Sequence, residues 1–238
     1  MDSSIKLGEI VIHVTRKDVK NVHLSVYPPN GSVRIAAPSR MTLDTIRLFA
    51  LAKLSWIKKQ QRKFLEQERE TKREFLERES HYIWGKRKLL KIVENAESDL
   101  IENHPRQIVI NTRPTTSDHK KEILLEAWYR EELRRESLPL VAKWERLIGV
   151  SVKDIYIQRM KTKWGSCNHR KQSIRLNTEL VKKPRECLEY ILVHEMIHIL
   201  EPSHNKHFRV LMDQHMPQWK HYRVLLNSLP VRHENWYY

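Results

Sequence analysis

The run from Arg185 to Leu200, RECLEYILVHEMIHIL, restricts the fold of this chain more than any other stretch of its 238 residues. Leu188, Ile191, Leu192, Val193, Met196, Ile197, Ile199 and Leu200 cover nearly the whole circumference of a helix, so other elements must enclose it. Pro184 suits the first turn. Inside this apolar run stand His194, Glu195 and His198. An unpartnered polar group in an apolar interior costs several kcal/mol, so three together require compensation. His194 and His198 are four residues apart, about 40° around the axis, and their imidazoles can converge on one point. A divalent metal supplies the compensation. Two neutral imidazoles donate to zinc, and Glu195 is left to take a proton from a water at the metal, the pairing that the H-E-x-x-H spacing encodes.

The residues that follow offer a third ligand. Glu201-Pro202 disfavours helical continuation, and Ser203 is predicted to cap a second helix, HNKHFRVLMDQH. With His204 at 0°, Phe208, Leu211 and His215 fall within about 40° of it, which places His204 on the packing face and predicts it as the third ligand. His207 lies about 60° to one side, as a rim residue that either contacts substrate or an oxyanion or simply meets solvent. Three protein ligands leave the fourth tetrahedral position for water, the mark of a catalytic site, and one Zn2+ per chain is expected. Met212 and Met216 read as core filler.

Elsewhere the patterning predicts an antiparallel β-meander of three runs, Gly8 to Thr15, Asn21 to Tyr27 and SVRIAAP, with PPNGS as one of its turns. Thr42 caps a helix that continues as a long, mixed-charge helix to about Glu79. HYIWGKRKLLKIV predicts a hairpin and RQIVIN a strand, and RPTTSD predicts a linker. Two domains are therefore expected, 1–118 and 119–238. The second opens with a helix that Pro139 bends or interrupts. A strand follows at DIYIQRM, then a turn-rich KTKWGSCNHRKQ and a half-covered strand SIRLNTELV.

Composition narrows the function classes. The chain has 44 Lys+Arg against 29 Asp+Glu, a formal net charge of +15, which attracts nucleic acid, nucleotides or acidic proteins. Arg159, Lys161, Lys163, Arg170, Lys171 and Arg175 cluster in sequence just before the histidine helix as candidate contacts to an anionic partner. Only 5 glycines occur, and no Gly-rich phosphate loop is present. No stretch repeats another. Cys167 and Cys187 read as reduced thiols, which favours a cytoplasmic location. Neither a signal peptide nor a membrane span is predicted.

MKTKWGSCNHRKQSIRLNTELV feeding YILVHEMIHILEPSHNKHF, with the front segment APSRMTLDTIRLFALAKLSWIKKQ, resembles the YgjP-like metallopeptidases. These are relatives of SprT-like and Wss1-like proteases and of minimal gluzincins. The resemblance implies an α+β fold in which a β-rich N-terminal segment precedes a zincin-like catalytic domain with a small mixed sheet over the active-site helix. It implies His194, His198 and His204 as zinc ligands and Glu195 as catalytic base. By analogy with zinc peptidases, SIRLNTELV is expected at a sheet edge that aligns an extended peptide. The His198 to His204 spacing equals that of the metzincins, yet Glu201 replaces their turn glycine. WGSC, Trp164 to Cys167, resembles a family signature and is expected to be a packed turn.

The function expected is a zinc-dependent metallopeptidase acting on proteins or peptides, with nucleic acid suggested as a context by the resemblance. A metal-dependent nucleotide hydrolase and a non-catalytic nucleic-acid-binding metal protein are the alternatives.

Overall fold

Period-two alternation in the first 38 residues closes into a four-stranded sheet of β1 (Asp2–Leu7), β2 (Ile10–Lys17), β3 (His23–Tyr27) and β4 (Ser32–Pro38), in the order β1-β2-β4-β3. The computed structural model describes residues 2–27, 31–66, 70–71, 73–94 and 97–230. The predicted antiparallel meander is half right. β1 and β3 are antiparallel to their neighbours, but β2 and β4 pair in parallel at the centre. Turn residues announce the hairpins, whereas the central pairing is non-local and leaves no turn signature. Ile12, Val14, Val33 and Ile35 share the inner face and are buried against Ile46, Ala50 and Ile57 of α1 (Leu43–Ala52) and α2 (Leu54–Glu66). Thr42 caps α1 by accepting from the Thr45 N–H at 3.3 Å.

The predicted charged helix is seen to Glu66; of its extension, residues 67–69 and 72 lie outside the described residues, and residues 70–71 and 73–79 are not helical. Among the described residues after it, Phe75 and Arg78 have φ of 54° and 66°, and the Glu79 carboxylate accepts from the Glu74 N–H at 2.8 Å. Phe75 is buried. Burying a Phe is worth about 1.5–3 kcal/mol, whereas each exposed ion pair on a helix returns a few tenths, so burial wins.

A second sheet follows, with β5 (Ser80–Ile83), β6 (Lys86–Val93), β7 (Leu100–Asn103) and β8 (Gln107–Asn111) in the order β5-β6-β8-β7. Its pairing senses repeat the first sheet: antiparallel, parallel, antiparallel. Each sheet opens with a two-residue hairpin, paired Leu7 to Ile10 and Ile83 to Lys86, and each runs into a helix capped by a hydroxyl, Thr42 or Ser117. The chain thus contains one topology twice. The side chains have diverged, so the sequence shows no repeat.

The sheet β5–β8 shares one core with α3 (Asp118–Ile148) and α4 (Arg185–Leu200), Leu90, Ile108 and Ile110 clustering with Leu125, Leu133, Leu192 and Met196. The described chain accordingly divides after Thr71, with Lys72–Leu229 as the second unit, rather than at 118. RPTTSD is only the connection from β8 to the Ser117 cap. Pro139 lies within α3, which continues through it; the residue is exposed, so the carbonyl it cannot serve faces water.

A three-stranded sheet, β9 (Asp154–Gln158), β10 (Gly165–Asn168) and β11 (Ser173–Asn177), has the order β10-β11-β9. β11 is antiparallel to β10 and parallel to β9. It is therefore the central strand, almost wholly buried, neither the half-covered strand that its alternation predicts nor the sheet edge that the analogy with zinc peptidases implies. The edge beside α4 is β10, within the segment expected to be only turn. A 3₁₀ helix (Thr178–Lys182) leads from β11 into α4, and α5 (Lys206–His215) and α6 (Trp219–Ser228) complete this unit. Among the described residues no helix is long and apolar enough to cross a membrane.

Candidate metal centre

α4 is enclosed as its composition demands, with Leu188, Leu192, Val193, Met196 and Ile197 fully buried. His194 and His198 lie one turn apart, and His204 comes to them from the loop after the helix. His204 Nε2 lies 2.9 Å from His194 Nε2 and 3.0 Å from His198 Nε2. Among the described residues these three form the only His, Cys, Asp and Glu group whose ligand atoms converge within 4.8 Å. Phe208, 2% exposed, packs under all three rings at centroid distances of 4.7–4.9 Å. The sequence placed Phe208 on the packing face of α5 without identifying it as the floor of the site.

His204 reaches the cluster by a different route from the one its helical phase predicts. Asn205, not Ser203, caps α5, accepting from the Phe208 N–H at 3.0 Å, so His204 precedes the helix. Glu201 sets the loop instead. Its carboxylate accepts from the Ser203 hydroxyl at 2.9 Å and the Ser203 N–H at 3.2 Å. Hydrogen bonds from Ser203 and Asn205 hold it down at about 2. Its backbone is extended, φ −135° and ψ 100°, a conformation that needs no glycine. His207 is exposed, with Nδ1 3.4 Å from Glu201 Oε2, and is outside the cluster.

A metal fits these donors. His198 donates from Nδ1 to the Glu201 carbonyl at 3.0 Å, which leaves the Nε2 lone pair facing inward. Burial lowers the affinity of all three rings for protons, to about 3 at His194, so they are neutral donors. His194 Nδ1 is buried without a hydrogen-bond partner, and the ring's polarity is answered only through Nε2. One proton cannot bridge three converging nitrogens, whereas one cation can. Imidazoles bound to zinc at about 2.0–2.1 Å stand about 3.3 Å apart, close to the spacing seen. His81 provides the contrast: fully buried, it has Tyr129 Oη 3.1 Å from Nδ1, and although its Nε2 makes no aligned hydrogen bond, the Glu79 carboxylate stands 2.9 Å from it, a counter-charge where His194 Nδ1 has none.

Glu195 is 5% exposed, and burial pushes its carboxyl up to about 8, opposed by the charge of Lys163. Gly165 of β10 lies directly against it. A Cβ at that glycine would sit 2.8 Å from both Glu195 Cγ and Oε1, and 2.9 Å from Ile191 Cγ2. WGSC is therefore the strand that backs the carboxylate, and its glycine permits the approach. Asn177 anchors the loop before it, donating to the Met160 and Lys163 carbonyls at 2.8 Å each. Cys167 is half-buried, its thiol pushed up to about 11 by burial and by Glu195, and it is not in the histidine cluster. Gly165→Ala should lower stability by about 1–3 kcal/mol through overpacking and displace Glu195, measured by thermal unfolding and by turnover.

The basic candidates come from the two connections of the three-stranded sheet and from β11. Arg159, Lys161 and Lys163 precede β10, while Arg170 and Lys171 lie in the turn after it and Arg175 stacks on Tyr156 at 5.4 Å. Arg223 of α6, which the sequence did not single out, bears electrostatically on His194, His204 and Tyr190.

A family match places the chain among hydrolases of the metallopeptidase class. Residues 20–229 match the model of the YgjP-like, metallopeptidase domain family, and the chain belongs to that family. Among solved structures it is similar to the metallopeptidase zymogen abylysin of Pyrococcus abyssi, at 18% identity and a TM-score of 0.35 over 40% of this chain and 97% of that one. It is also similar to the zymogen jannalysin of Methanocaldococcus jannaschii, at 23% identity and a TM-score of 0.30 over 41% and 86% of the two chains. Curated proteins give no match.

Proposed function

We propose that this protein hydrolyses peptide bonds with one zinc ion held by His194, His198 and His204, and with Glu195 as general base, in a zincin-like arrangement. The observation that carries the proposal is the convergence of three neutral imidazoles beside a buried carboxylate that no protein cation pairs at hydrogen-bond distance among the described residues. Zinc, when bound there, supplies Lewis acidity that makes a water acidic near neutral pH and polarises a carbonyl. Glu195 accepts the water's proton at its carboxylate and hands it to the departing amine. Burial raises the carboxyl's hold on a proton, and a zinc ion beside it would lower that hold again, so that Glu195 would be ionised to take the proton and able to return it. Gly165 keeps the carboxylate in place from behind.

A peptide substrate would lie along β10. That strand pairs only with β11 in its sheet and packs on α4, so an extended chain added there passes in front of Glu195. Arg223, whose charge bears on His194 and His204, would steady a developing oxyanion. Arg223→Met should lower kcat about tenfold or more with little change in KM, as expected for a contact made in the transition state. Free Cys167 and Cys187 accord with the reducing cytoplasm as the site of action.

Elemental analysis with parallel turnover assays tests the proposal. One zinc per chain and cleavage of unfolded protein or a mixed peptide library are expected. Release of phosphate from nucleoside triphosphates without peptide cleavage would replace it with nucleotide hydrolysis. His204→Ala should lose stoichiometric zinc while His207→Ala retains it; the opposite pattern would reassign the third ligand.

A further inference from the structure

The repeated topology exposes a surface in the first unit that the second unit covers with its own chain. Aligning the hairpins and the helix caps makes Leu7-Gly8-Glu9-Ile10 equivalent to Ile83-Trp84-Gly85-Lys86. Counted on from the caps, across the break at Lys53 between α1 and α2, Arg47, Leu54, Lys58 and Gln61 stand against Glu122, Tyr129, Leu133 and Glu136 of the unbroken α3. In the second unit the segment Leu180 to Arg185 fills the angle between hairpin and helix. Trp84 N–H donates to the Val181 carbonyl at 2.8 Å and Gly85 N–H to the Lys182 carbonyl at 3.3 Å. Lys182 lies over the Tyr129 ring at 5.7 Å, and Arg185 forms an ion pair with Glu136 at 3.0 Å. A basic segment is thus seated on an acidic helix face, and Leu133 beneath it is fully buried.

In the first unit the same angle is an open groove of about 590 Å³. Leu7, Ile10, Leu51 and Leu54 give it an apolar lining, and Lys6, Arg47 and Lys58 give it a cationic rim against the single acid Glu9. Leu51 remains 45% exposed. The helix face has changed sign between the copies: glutamates at 122 and 136 stand where arginine and glutamine occur at 47 and 61. Charge complementarity therefore requires an occupant of the opposite sign from Lys182 and Arg185.

We infer that this groove is a docking site for a short acidic segment of a partner protein. The segment contributes carbonyls to the hairpin turn, one or two apolar side chains to Leu51 and Leu54, and carboxylates to Lys6, Arg47 and Lys58. A nucleic acid would use the rim but has nothing to place on the leucines, so the acidic peptide is favoured. The site lies wholly within the first unit and is independent of the histidine cluster.

Fluorescence anisotropy on the full chain tests this with two labelled peptides. One is TELVKKPRE, the Thr178–Glu186 sequence, and the other is TELVEEPEE, in which glutamate replaces its cations. The acidic peptide should bind saturably and roughly tenfold tighter than the parent. Arg47→Glu with Lys58→Glu should reverse the preference, and Leu51→Asn should weaken binding about fivefold or more. Arg146→Glu with Lys153→Glu, an equal charge change outside the groove, should leave it within about twofold. Circular dichroism would establish that each variant is folded. Equal loss in both double variants would show bulk charge alone and overturn the inference, as would no saturable binding. Displacement of the peptide by a short DNA duplex, lost in the groove variant alone, would assign the groove to nucleic acid and equally overturn it.

Discussion

Glu195→Gln should lower turnover by about 10²–10⁴-fold, the range expected for removing a general base, while one zinc per chain remains bound. The amide keeps the shape of the carboxylate against Gly165 and Ile191, so packing is preserved and only proton transfer is lost. Metal-free protein gives a second readout with a definite sign. The folded-state carboxyl titrates at about 8, above its ordinary value of 4.5. The folded chain therefore binds the extra proton between those values, and wild-type stability falls as pH rises from about 4.5 to 8. Each pKa unit is worth about 1.4 kcal/mol. His194, lowered from 6.5 to about 3, acts in the other direction, and its contribution is lost as pH falls through that window. Glu195→Gln should remove the loss on the alkaline side and leave the acid side intact. Thermal unfolding of metal-free protein at pH 5 and pH 8 checks this; a variant with wild-type turnover would exclude Glu195 as the base.

His198→Ala should abolish stoichiometric zinc and, with it, both activity and the stabilisation that zinc confers. Zinc at a thousand times its dissociation constant stabilises a folded protein by about 4 kcal/mol, so chelation should lower the wild-type melting temperature by several degrees. The variant should melt at the same temperature with or without chelator. Its site would still hold His194 and His204, but the ring fixed by the Glu201 carbonyl would be gone. Dialysis against buffered zinc, elemental analysis and paired melting curves test this. Full zinc occupancy in His198→Ala would mean that the ion is held by other groups.

The histidine helix was legible because it broke a pattern: apolar residues on every side predicted enclosure, and enclosed imidazoles needed an answer. His204 was chosen from a helical phase it does not possess, and it joins the cluster from the loop instead. The loop that carries it is set by the Glu201 carboxylate, a local hydrogen-bond choice that periodicity does not encode. The strands of both four-stranded sheets were largely visible as alternations or turns, except β1 and β7. Their central parallel pairings were not, because these join residues some twenty positions apart without a turn between them. β10 was missed since Gly165-Ser166-Cys167-Asn168 has no apolar alternation, and its role depends on an approach to Glu195 that only glycine permits. The charged run after α2 misled because exposed ion pairs imitate a helix that one buried Phe75 overrides.

The two N–H groups of the Trp84–Gly85 turn fasten the β5–β6 hairpin to the carbonyls just ahead of α4. A protein begun at residue 119 would carry every histidine of the cluster, yet the lead-in to its helix would have lost its anchor. Such a fragment should capture zinc poorly and be digested readily by added trypsin, whereas one begun at residue 72 retains the anchor. On that reading metal capture would depend on the β5–β6 hairpin as well as on the histidines, and deletion mapping would assign it an importance that a search for ligands alone would overlook.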